Sequence, residues 1–281
     1  YQKMRALIIY LVISAVFIGC TPILSIDAST QSVYHFSDTD KNISLLDISE
    51  TFGTYDGSFV LYDNNLDSWK IYDLEEATKR IPPESTYKIY DSLLGLESGI
   101  ITPEHSSMTW NGDAFPFPSW EADQDLNSAM QNSVNWYFQA IDSQLGINRV
   151  QEFLNKIKYG NQTTSSNLDL YWSDFSLKIS PLEQVTLLKK FNTNEFHLNF
   201  QNVFSVKNAI KIASTPNGNF YGKTGTGRVN GQDINGWFIG YVETSDNSYY
   251  FATNIQSDSN ATGKKAFEIT SDILKKLHIW N

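Results

Sequence analysis

The sequence is poor in three features that mark common classes of protein: cysteine, histidine and net positive charge. The single cysteine, Cys20, excludes an internal disulfide framework. No H-E-x-x-H motif occurs and the histidines lack metal-ligand spacing, so no metal site is predicted; they are His35, His105, His197 and His278. The formal charge of −10 argues against nucleic acid as a partner, because nucleic-acid binding needs a basic face.

Long apolar runs are also scarce, and the exception lies near the N-terminus. Residues 6–26 (ALIIYLVISAVFIGCTPILSI) carry no charge and follow Lys3 and Arg5. The run is long enough to cross a bilayer as a helix, and the flanking cations place its N-terminal side in the cytoplasm. We therefore predict a transmembrane segment at residues 1–26 and an extracellular remainder. Because the chain starts with Tyr1 rather than Met, we expect a piece of a longer protein.

A signal peptide is the alternative to a membrane span at this end of the chain. It would begin at Met4, and Cys20 would become the lipidated first residue of the mature protein. Only one cation follows Met4 before the apolar run, and other residues precede it. The sequence therefore favours the membrane span.

The rest of the chain divides into a linker and one large domain. Residues 27–50 are rich in Ser, Thr and Asp with little periodicity, which predicts a linker. Within residues 51–281, two alternating runs flank Asn64-Asn65, a mostly helical region follows, and aromatic, β-branched strands return from Asn219. A helix with apolar residues three and four apart closes the chain. This order predicts an α+β fold, an antiparallel sheet flanked by helices.

A serine and a lysine stand three residues apart at the start of an apolar run. In PPESTYKIYDSLLGLESG, residues 82–99, the two prolines predict that a helix begins at about Glu84 or Ser85. Ser85 and Lys88 then share a helix face, and Ser85 lies where free backbone N–H groups favour developing negative charge. An N-cap serine and a solvated lysine are the simpler explanation of so short a motif, so further motifs must decide.

Two later motifs complete a constellation for attack on a carbonyl group. AMQNSVNWYF supplies Ser133 and Asn135, and YGKTGTG places Lys223-Thr224-Gly225 on the edge of an aromatic strand. Each motif alone occurs by chance. The three together, in this order and separated by 48 and 90 residues, are far less frequent by accident.

In this order the motifs resemble those of the serine penicillin-recognising proteins: S-x-x-K, then S-x-N or S-x-V, then K-T-G. The resemblance extends from about residue 58 to residue 280 and implies a β-lactamase/transpeptidase-like fold for this part of the chain. YGN at residues 159–161 and YW at residues 171–172 are similar to motifs of the class D (OXA-type) β-lactamases. STYKIY, LKISPLEQV and the long stretch from TWNGDAF to VNWYF resemble more closely still the sensor domains of the BlaR/MecR β-lactam receptors of Gram-positive bacteria.

The resemblance implies how a β-lactam ring would be opened. Ser85 would be the nucleophile, and its proton must be removed as it attacks. Burial against Trp172 would lower the pKa of Lys88, and the neutral amine would capture carbon dioxide as a carbamate. That carbamate would be the base, held by the indole N–H of Trp172. Ser133 would pass a proton to the lactam nitrogen.

The remaining motif residues are assigned to substrate binding. Lys223 and the hydroxyls of Thr224 and Thr226 would bind the substrate carboxylate, beside Gly225 of the same strand. Backbone N–H groups of the nucleophile and of Thr226 would form the oxyanion hole. Asn135 would contact the substrate as the third residue of its motif.

Three features depart from the class D enzymes and bear on turnover. Those enzymes usually read S-x-V, whereas Asn135 ends the motif here. They usually carry an arginine after the K-T-G strand, but no arginine follows Arg228, which leaves the threonines or Lys264 and Lys265 for the carboxylate. Ser173 stands where they tend to keep an apolar residue. Each change would slow the removal of the acyl group by water.

The expected function is a membrane-anchored β-lactam receptor, in which long-lived acyl-Ser85 signals the induction of antibiotic resistance. The resemblance implies further transmembrane helices and a cytosolic zinc-protease portion upstream of this chain. The alternative is a class D β-lactamase, secreted or anchored to lipid through Cys20. An inert relic of the fold is a third hypothesis, which the intact Ser85, Lys88, Ser133 and Lys223 disfavour.

Overall fold

The computed structural model describes residues 23–24, 34–35 and 42–281. The predicted transmembrane segment lies outside these residues except at its end, where strand β1 (Ile23–Leu24) pairs antiparallel with strand β2 (Tyr34–His35). Within the described ranges, no helix is both long and apolar enough to cross a bilayer. The domain predicted from residue 51 onward is described in full.

Across residues 42–281, seven further strands form one sheet and nine α-helices accompany it. The strands are β3 (Ile43–Leu45), β4 (Asp56–Asp63), β5 (Ser68–Tyr72), β6 (Lys211–Thr215), β7 (Gly218–Val229), β8 (Gln232–Glu243) and β9 (Ser248–Gln256). The helices are α1 (Ser49–Phe52), α2 (Leu74–Thr78), α3 (Lys88–Glu97), α4 (Leu126–Gln131), α5 (Asn135–Leu145), α6 (Ile147–Ile157), α7 (Pro181–Asn192), α8 (Phe200–Ala209) and α9 (Gly263–Lys276).

The sheet is mixed rather than wholly antiparallel. Its order is β3-β5-β4-β9-β8-β7-β6, and every neighbouring pair is antiparallel except β3 and β5. Strand β3 runs parallel to β5, with Ile43 opposite Trp69, and lies inside the range 27–50 that was predicted as a linker. A three-residue strand is too short to show alternation. The prediction of an antiparallel sheet is therefore wrong at this edge.

Alternating side chains divide the core between the two faces of the sheet. Along β4, Phe59 and Leu61 belong to the core under α1 and α9, whereas Val60 and Tyr62 belong to the core under the other helices. Helices α2 and α7 pack directly on that second face, and α3 packs on α5 and α8 beyond them. This arrangement places α3 and α5 at the side of the sheet where β7 runs.

Most of the predicted elements are present. Strands β4 and β5 form the hairpin predicted around Asn64-Asn65, residues 245–247 turn between β8 and β9, and α9 closes the chain. The helix predicted to begin at Glu84 or Ser85 starts as a 3₁₀ turn, Glu84–Tyr87, and α3 continues from Lys88. The Ser–Lys motif therefore spans the junction of the two helix types.

Candidate active site

Ser85 and Lys88 lie at the junction between the 3₁₀ turn and α3. Ser85 is partly exposed, whereas Lys88 is fully buried. The Lys88 Nζ atom lies 2.7 Å from Ser85 Oγ and donates a hydrogen bond of 2.6 Å to Asn135 Oδ1. The simpler explanation of the motif, a solvated lysine, is therefore excluded, and the serine and lysine are in hydrogen-bonding contact.

The surroundings of Lys88 favour its neutral form. Its Nζ atom lies 5.4 Å from the ring centroid of Trp172 and 5.5 Å from that of Phe138. Burial, followed by the charge of Lys223, holds the pKa of Lys88 well below its usual range, and nearby carboxyl groups offset this only in part. A neutral amine can accept the proton of a serine hydroxyl, which an ammonium group cannot.

Ser133 and Lys223 form a second contact in the site. Ser133 lies between α4 and α5 with φ of +53°, a left-handed conformation that few non-glycine residues adopt. Lys223 Nζ donates to Ser133 Oγ at 3.1 Å and to the Thr224 carbonyl at 2.9 Å. Burial lowers the pKa of Lys223 to about 7. Lys223 can therefore exchange a proton with Ser133 near neutral pH.

Strand β7 approaches the 3₁₀ turn closely at two of its glycines. A Cβ atom on Gly227 would lie 2.5 Å from Glu84 Oε1, and one on Gly225 would lie 3.2 Å from the Ser85 backbone nitrogen. Glu84 is buried between the two segments. The glycines of the K-T-G strand thus bring the strand against the serine.

A cavity of about 390 Å³ opens beside Ser85. Its wall includes most of the predicted site residues, namely Ser133, Asn135, Thr224, Gly225 and Thr226. It also includes residues that the sequence did not single out, namely Phe117, Ser119, Trp120, Asn132 and Asp233. Lys264 and Lys265, predicted as alternative partners of the carboxylate, are not in this wall.

Thr226 is hydrogen-bonded to the start of α9. Its hydroxyl oxygen accepts a hydrogen bond of 2.9 Å from the Gly263 N–H. This bond uses one lone pair of the hydroxyl and leaves its proton available for donation. The predicted contact with a substrate carboxylate is therefore chemically open to Thr226, with the Gly263 bond orienting the side chain.

Arg228 lines the same cavity, at a β-bulge where the register of β7 against β8 shifts. Its Nη2 donates to the Gly231 carbonyl at 2.9 Å, and its Nε lies 3.8 Å from Asp233 Oδ1. From the sequence, the threonines of the K-T-G strand or the later Lys264 and Lys265 are expected to bind the substrate carboxylate. The structure places this earlier cation in the wall of the cavity instead.

An aromatic loop forms another part of the wall. The rings of Phe117 and Trp120 lie 5.1 Å apart between centroids. The Trp120 indole N–H donates to the Asn132 carbonyl at 3.0 Å, and the Trp136 indole N–H donates to the Trp120 carbonyl at 2.8 Å. These bonds hold the loop against the segment that carries Ser133. The signal for it in the sequence was FPFPSW, an aromatic run without helix or strand periodicity.

The YGN turn orders the loop that carries Trp172. Gly160 has φ of +50°, and a Cβ atom there would lie 1.9 Å from the Lys178 carbonyl oxygen. Asn161 Nδ2 donates to the Ser176 carbonyl at 2.8 Å, and its Oδ1 accepts from the Lys178 N–H at 2.9 Å. The hydrogen bonds of Asn161 therefore hold the beginning of the loop against its end.

Trp172 and Ser173 differ in exposure although they are neighbours. Trp172 is 3% exposed and contacts Lys88 through its ring, so the predicted hold on a carbamate stays a prediction. Ser173 is partly exposed, and its hydroxyl donates to the Leu170 carbonyl at 3.2 Å inside its own turn. A polar, partly exposed residue therefore lies next to Trp172.

Comparison with known proteins gives one consistent result. Residues 54–275 match the penicillin binding protein transpeptidase domain. The chain is 44% identical over 277 residues to the regulatory protein BlaR1 of Bacillus licheniformis, covering 98% of this chain and 45% of that protein. It thus spans about half the length of the BlaR1 and mecR1 proteins that it matches.

Solved structures agree with this result. The C-terminal domain of the Bacillus licheniformis BlaR penicillin-receptor superposes with a TM-score of 0.83 at 45% identity, covering 85% of this chain and 98% of that one. A class D β-lactamase from Bacillus subtilis superposes with a TM-score of 0.79 at 35% identity, covering 84% and 97%. Both carry the same fold as the domain described here.

Proposed function

The chain belongs to the penicillin-binding transpeptidase family and is a homologue of BlaR1 and MecR1, and on this premise we propose that it is the β-lactam-binding part of a receptor. A penicillin or cephalosporin acylates Ser85, and the long-lived acyl-protein signals the induction of resistance. The observation that carries the proposal is the 2.7 Å contact between Ser85 Oγ and the buried Lys88 Nζ.

Acylation needs one proton to leave the serine and one to reach the lactam nitrogen. Ser85 Oγ bonds to the lactam carbonyl carbon while its proton passes to the base at Lys88. Backbone N–H groups of Ser85 and Thr226 stabilise the resulting oxyanion. The carbon–nitrogen bond then breaks, and Ser133 protonates the nitrogen, with Lys223 at 3.1 Å to restore its proton. The product is an ester of Ser85.

Carbon dioxide is the small co-reactant in this proposal. Lys88 fits it, because the side chain is fully buried and burial holds its pKa well below the usual range. Trp172, already in ring contact with Lys88, would hold the carbamate. The group would supply a carboxylate base in place of the amine.

A class D β-lactamase is the second candidate, favoured by the likeness to such an enzyme from Bacillus subtilis. Two features support the receptor instead. Asn135 Oδ1 accepts a 2.6 Å hydrogen bond from Lys88, where the enzymes usually have valine, and so engages the amine that deacylation would need. Ser173 brings a polar, partly exposed side chain next to Trp172. A domain that is acylated at Ser85 but loses the acyl group to water only slowly acts as a receptor rather than as a hydrolase.

The membrane part of the proposal rests on the sequence. Residues 6–26 would anchor the chain in the cell membrane of a Gram-positive bacterium, with the domain outside. Further transmembrane helices and a zinc-protease portion upstream would complete the receptor. The share of the BlaR1 relative that this chain covers, 45%, leaves length for both.

Intact-mass spectrometry tests the proposed function. The 281-residue chain incubated with benzylpenicillin should gain one penicilloyl group, and Ser85→Ala should gain none. Ser205→Ala is the matched control, because that hydroxyl bonds to the Gln201 carbonyl within α8, and it should be labelled like the wild type. An adduct that survives in Ser85→Ala would refute the assignment of the nucleophile.

A further inference from the structure

Two buried aspartates lie beneath the site and have no part in the chemistry above. Asp91 follows Lys88 by one turn of α3, and Asp142 follows Asn135 by two turns of α5. Both side chains are fully buried. The helices that carry them also carry Lys88 and Asn135, each as the first residue of its helix.

Helices α3 and α5 pack against each other, and the carboxyl groups of Asp91 and Asp142 act on each other's pKa. Asp142 Oδ2 accepts a 2.9 Å hydrogen bond from the Tyr171 hydroxyl. Among residues 42–281, no donor reaches Asp142 Oδ1 or either oxygen of Asp91. Two neighbouring carboxylates with a single donor between them cannot both remain charged in a buried, water-free core, but one shared proton satisfies both.

The titratable and charged groups around the pair come from several segments. Burial and mutual repulsion raise the pKa of Asp91 well above its usual range, and burial raises that of Asp142 to about 6. Other groups also shift the pKa of the two aspartates or of Lys88. They are Glu84 and Tyr87 of the 3₁₀ turn, Asp169 and Tyr171 of the loop that carries Trp172, and Lys223 of β7. The tyrosines stay neutral, because burial raises their pKa.

We propose that Asp91 and Asp142 share one proton and act as a single buried negative charge that opposes the loss of a proton from Lys88. They are positioning residues, since they act on the substrate only through Lys88. The charge favours the ammonium form of Lys88 and disfavours a carbamate there, against the effect of burial. Its consequence for the reaction rests on the proposed function: because only neutral Lys88 can remove the Ser85 proton, the pair limits the fraction of chains that are ready for acylation at a given pH.

If the two aspartates share one proton, single and double substitutions should differ in whether they remove the negative charge of the pair. In Asp91→Asn or Asp142→Asn, the amide takes the place of the protonated carboxyl, so one negative charge remains. Only the double variant, Asp91→Asn with Asp142→Asn, loses the charge. The amide oxygen introduced by Asp142→Asn can still accept from Tyr171, which keeps that hydrogen bond in every variant.

The test is a carbon-13 NMR titration of Lys88 in the 281-residue chain, in detergent and without bicarbonate. Each single variant should titrate Lys88 as in the wild type, and the double variant should titrate it roughly one pH unit lower. Asp169→Asn, which removes an exposed carboxylate from the neighbouring loop, is the matched control and should resemble the wild type. An unshifted double variant, or single variants that each shift as far as the double, would overturn the proposal.

A second measurement needs no folded double variant. Infrared spectra of the wild type with labelled aspartate should show the carbonyl band of one protonated carboxyl group at about pH 8, far above the ordinary aspartate pKa. Asp91→Asn should remove it. Absence of the band in the wild type would refute the shared proton. Since neither readout uses an antibiotic, failure here is distinct from failure of the acylation test on Ser85.

Discussion

Removal of the Trp172 ring should change the pH dependence of acylation more than its maximum. The ring lies 5.4 Å from Lys88 Nζ and helps to exclude water, and burial is the first cause of the lowered pKa of Lys88. Trp172→Ala admits water, so the pKa should return part of the way to 10.5. Above pH 7.5, each unit by which this pKa rises reduces the fraction of neutral amine at pH 7.5 about tenfold, equivalent to about 1.4 kcal/mol.

The direction in which the pH–rate profile moves distinguishes this explanation from a general loss of activity. Because the neutral amine is the base, acylation rises with pH through the pKa of Lys88, and Trp172→Ala moves that rise to higher pH. Stopped-flow labelling with a fluorescent penicillin, in bicarbonate-free buffer from about pH 6 to pH 10, measures it. Trp280→Ala, which removes an indole from the opposite core beside Phe220, is the control and should leave the profile unmoved. A uniform loss of rate at every pH would refute the reasoning.

Two further predictions test the base and the loop. Lys88→Ala should slow acylation by about 10² or more while the protein stays folded, as expected when a general base is lost, and labelling at the full rate would contradict this role. Gly160→Ala should lower the free energy of unfolding by more than about 2 kcal/mol, because its Cβ atom would lie 1.9 Å from the Lys178 carbonyl oxygen. Gly112→Ala, at φ of +90° with open space around it, should cost less in the same urea unfolding series.

Long periodic segments made most of the fold predictable. The apolar spacing along α9 and the aromatic alternation of β7 to β9 each extend over nine residues or more. Strand β3, with three residues, and β6, a mostly exposed edge strand of five, offered no such pattern. Their pairing depends on which edge of the sheet is free, which only the tertiary structure decides.

The site was predictable where chemistry fixes both residue type and order. The Ser85–Lys88 spacing and the K-T-G strand were found in the sequence, and the structure brings them together. The aromatic wall of the cavity and the position of Arg228 in it were not predicted, because a loop and a β-bulge have no periodic sequence pattern. Asp91 was also missed, since one carboxyl in an apolar helix gives no sign of a second carboxyl on α5.

The receptor proposal turns on the lifetime of the acyl bond. A half-life near one hour corresponds to a barrier of roughly 22 kcal/mol, whereas a turnover of about 10 per second needs only roughly 16 kcal/mol. Asn135 and Ser173 are the residues on which the slower value rests.

Hydrolysis of a chromogenic cephalosporin by the 281-residue chain is the most direct measurement of that lifetime. The account predicts a burst of one product per chain, almost no steady-state hydrolysis afterwards, and an acyl adduct that is still detectable after an hour in fresh buffer. Ser85→Ala should show no burst. Sustained turnover of several molecules per second by the wild type would contradict the receptor and assign the chain to the class D β-lactamases.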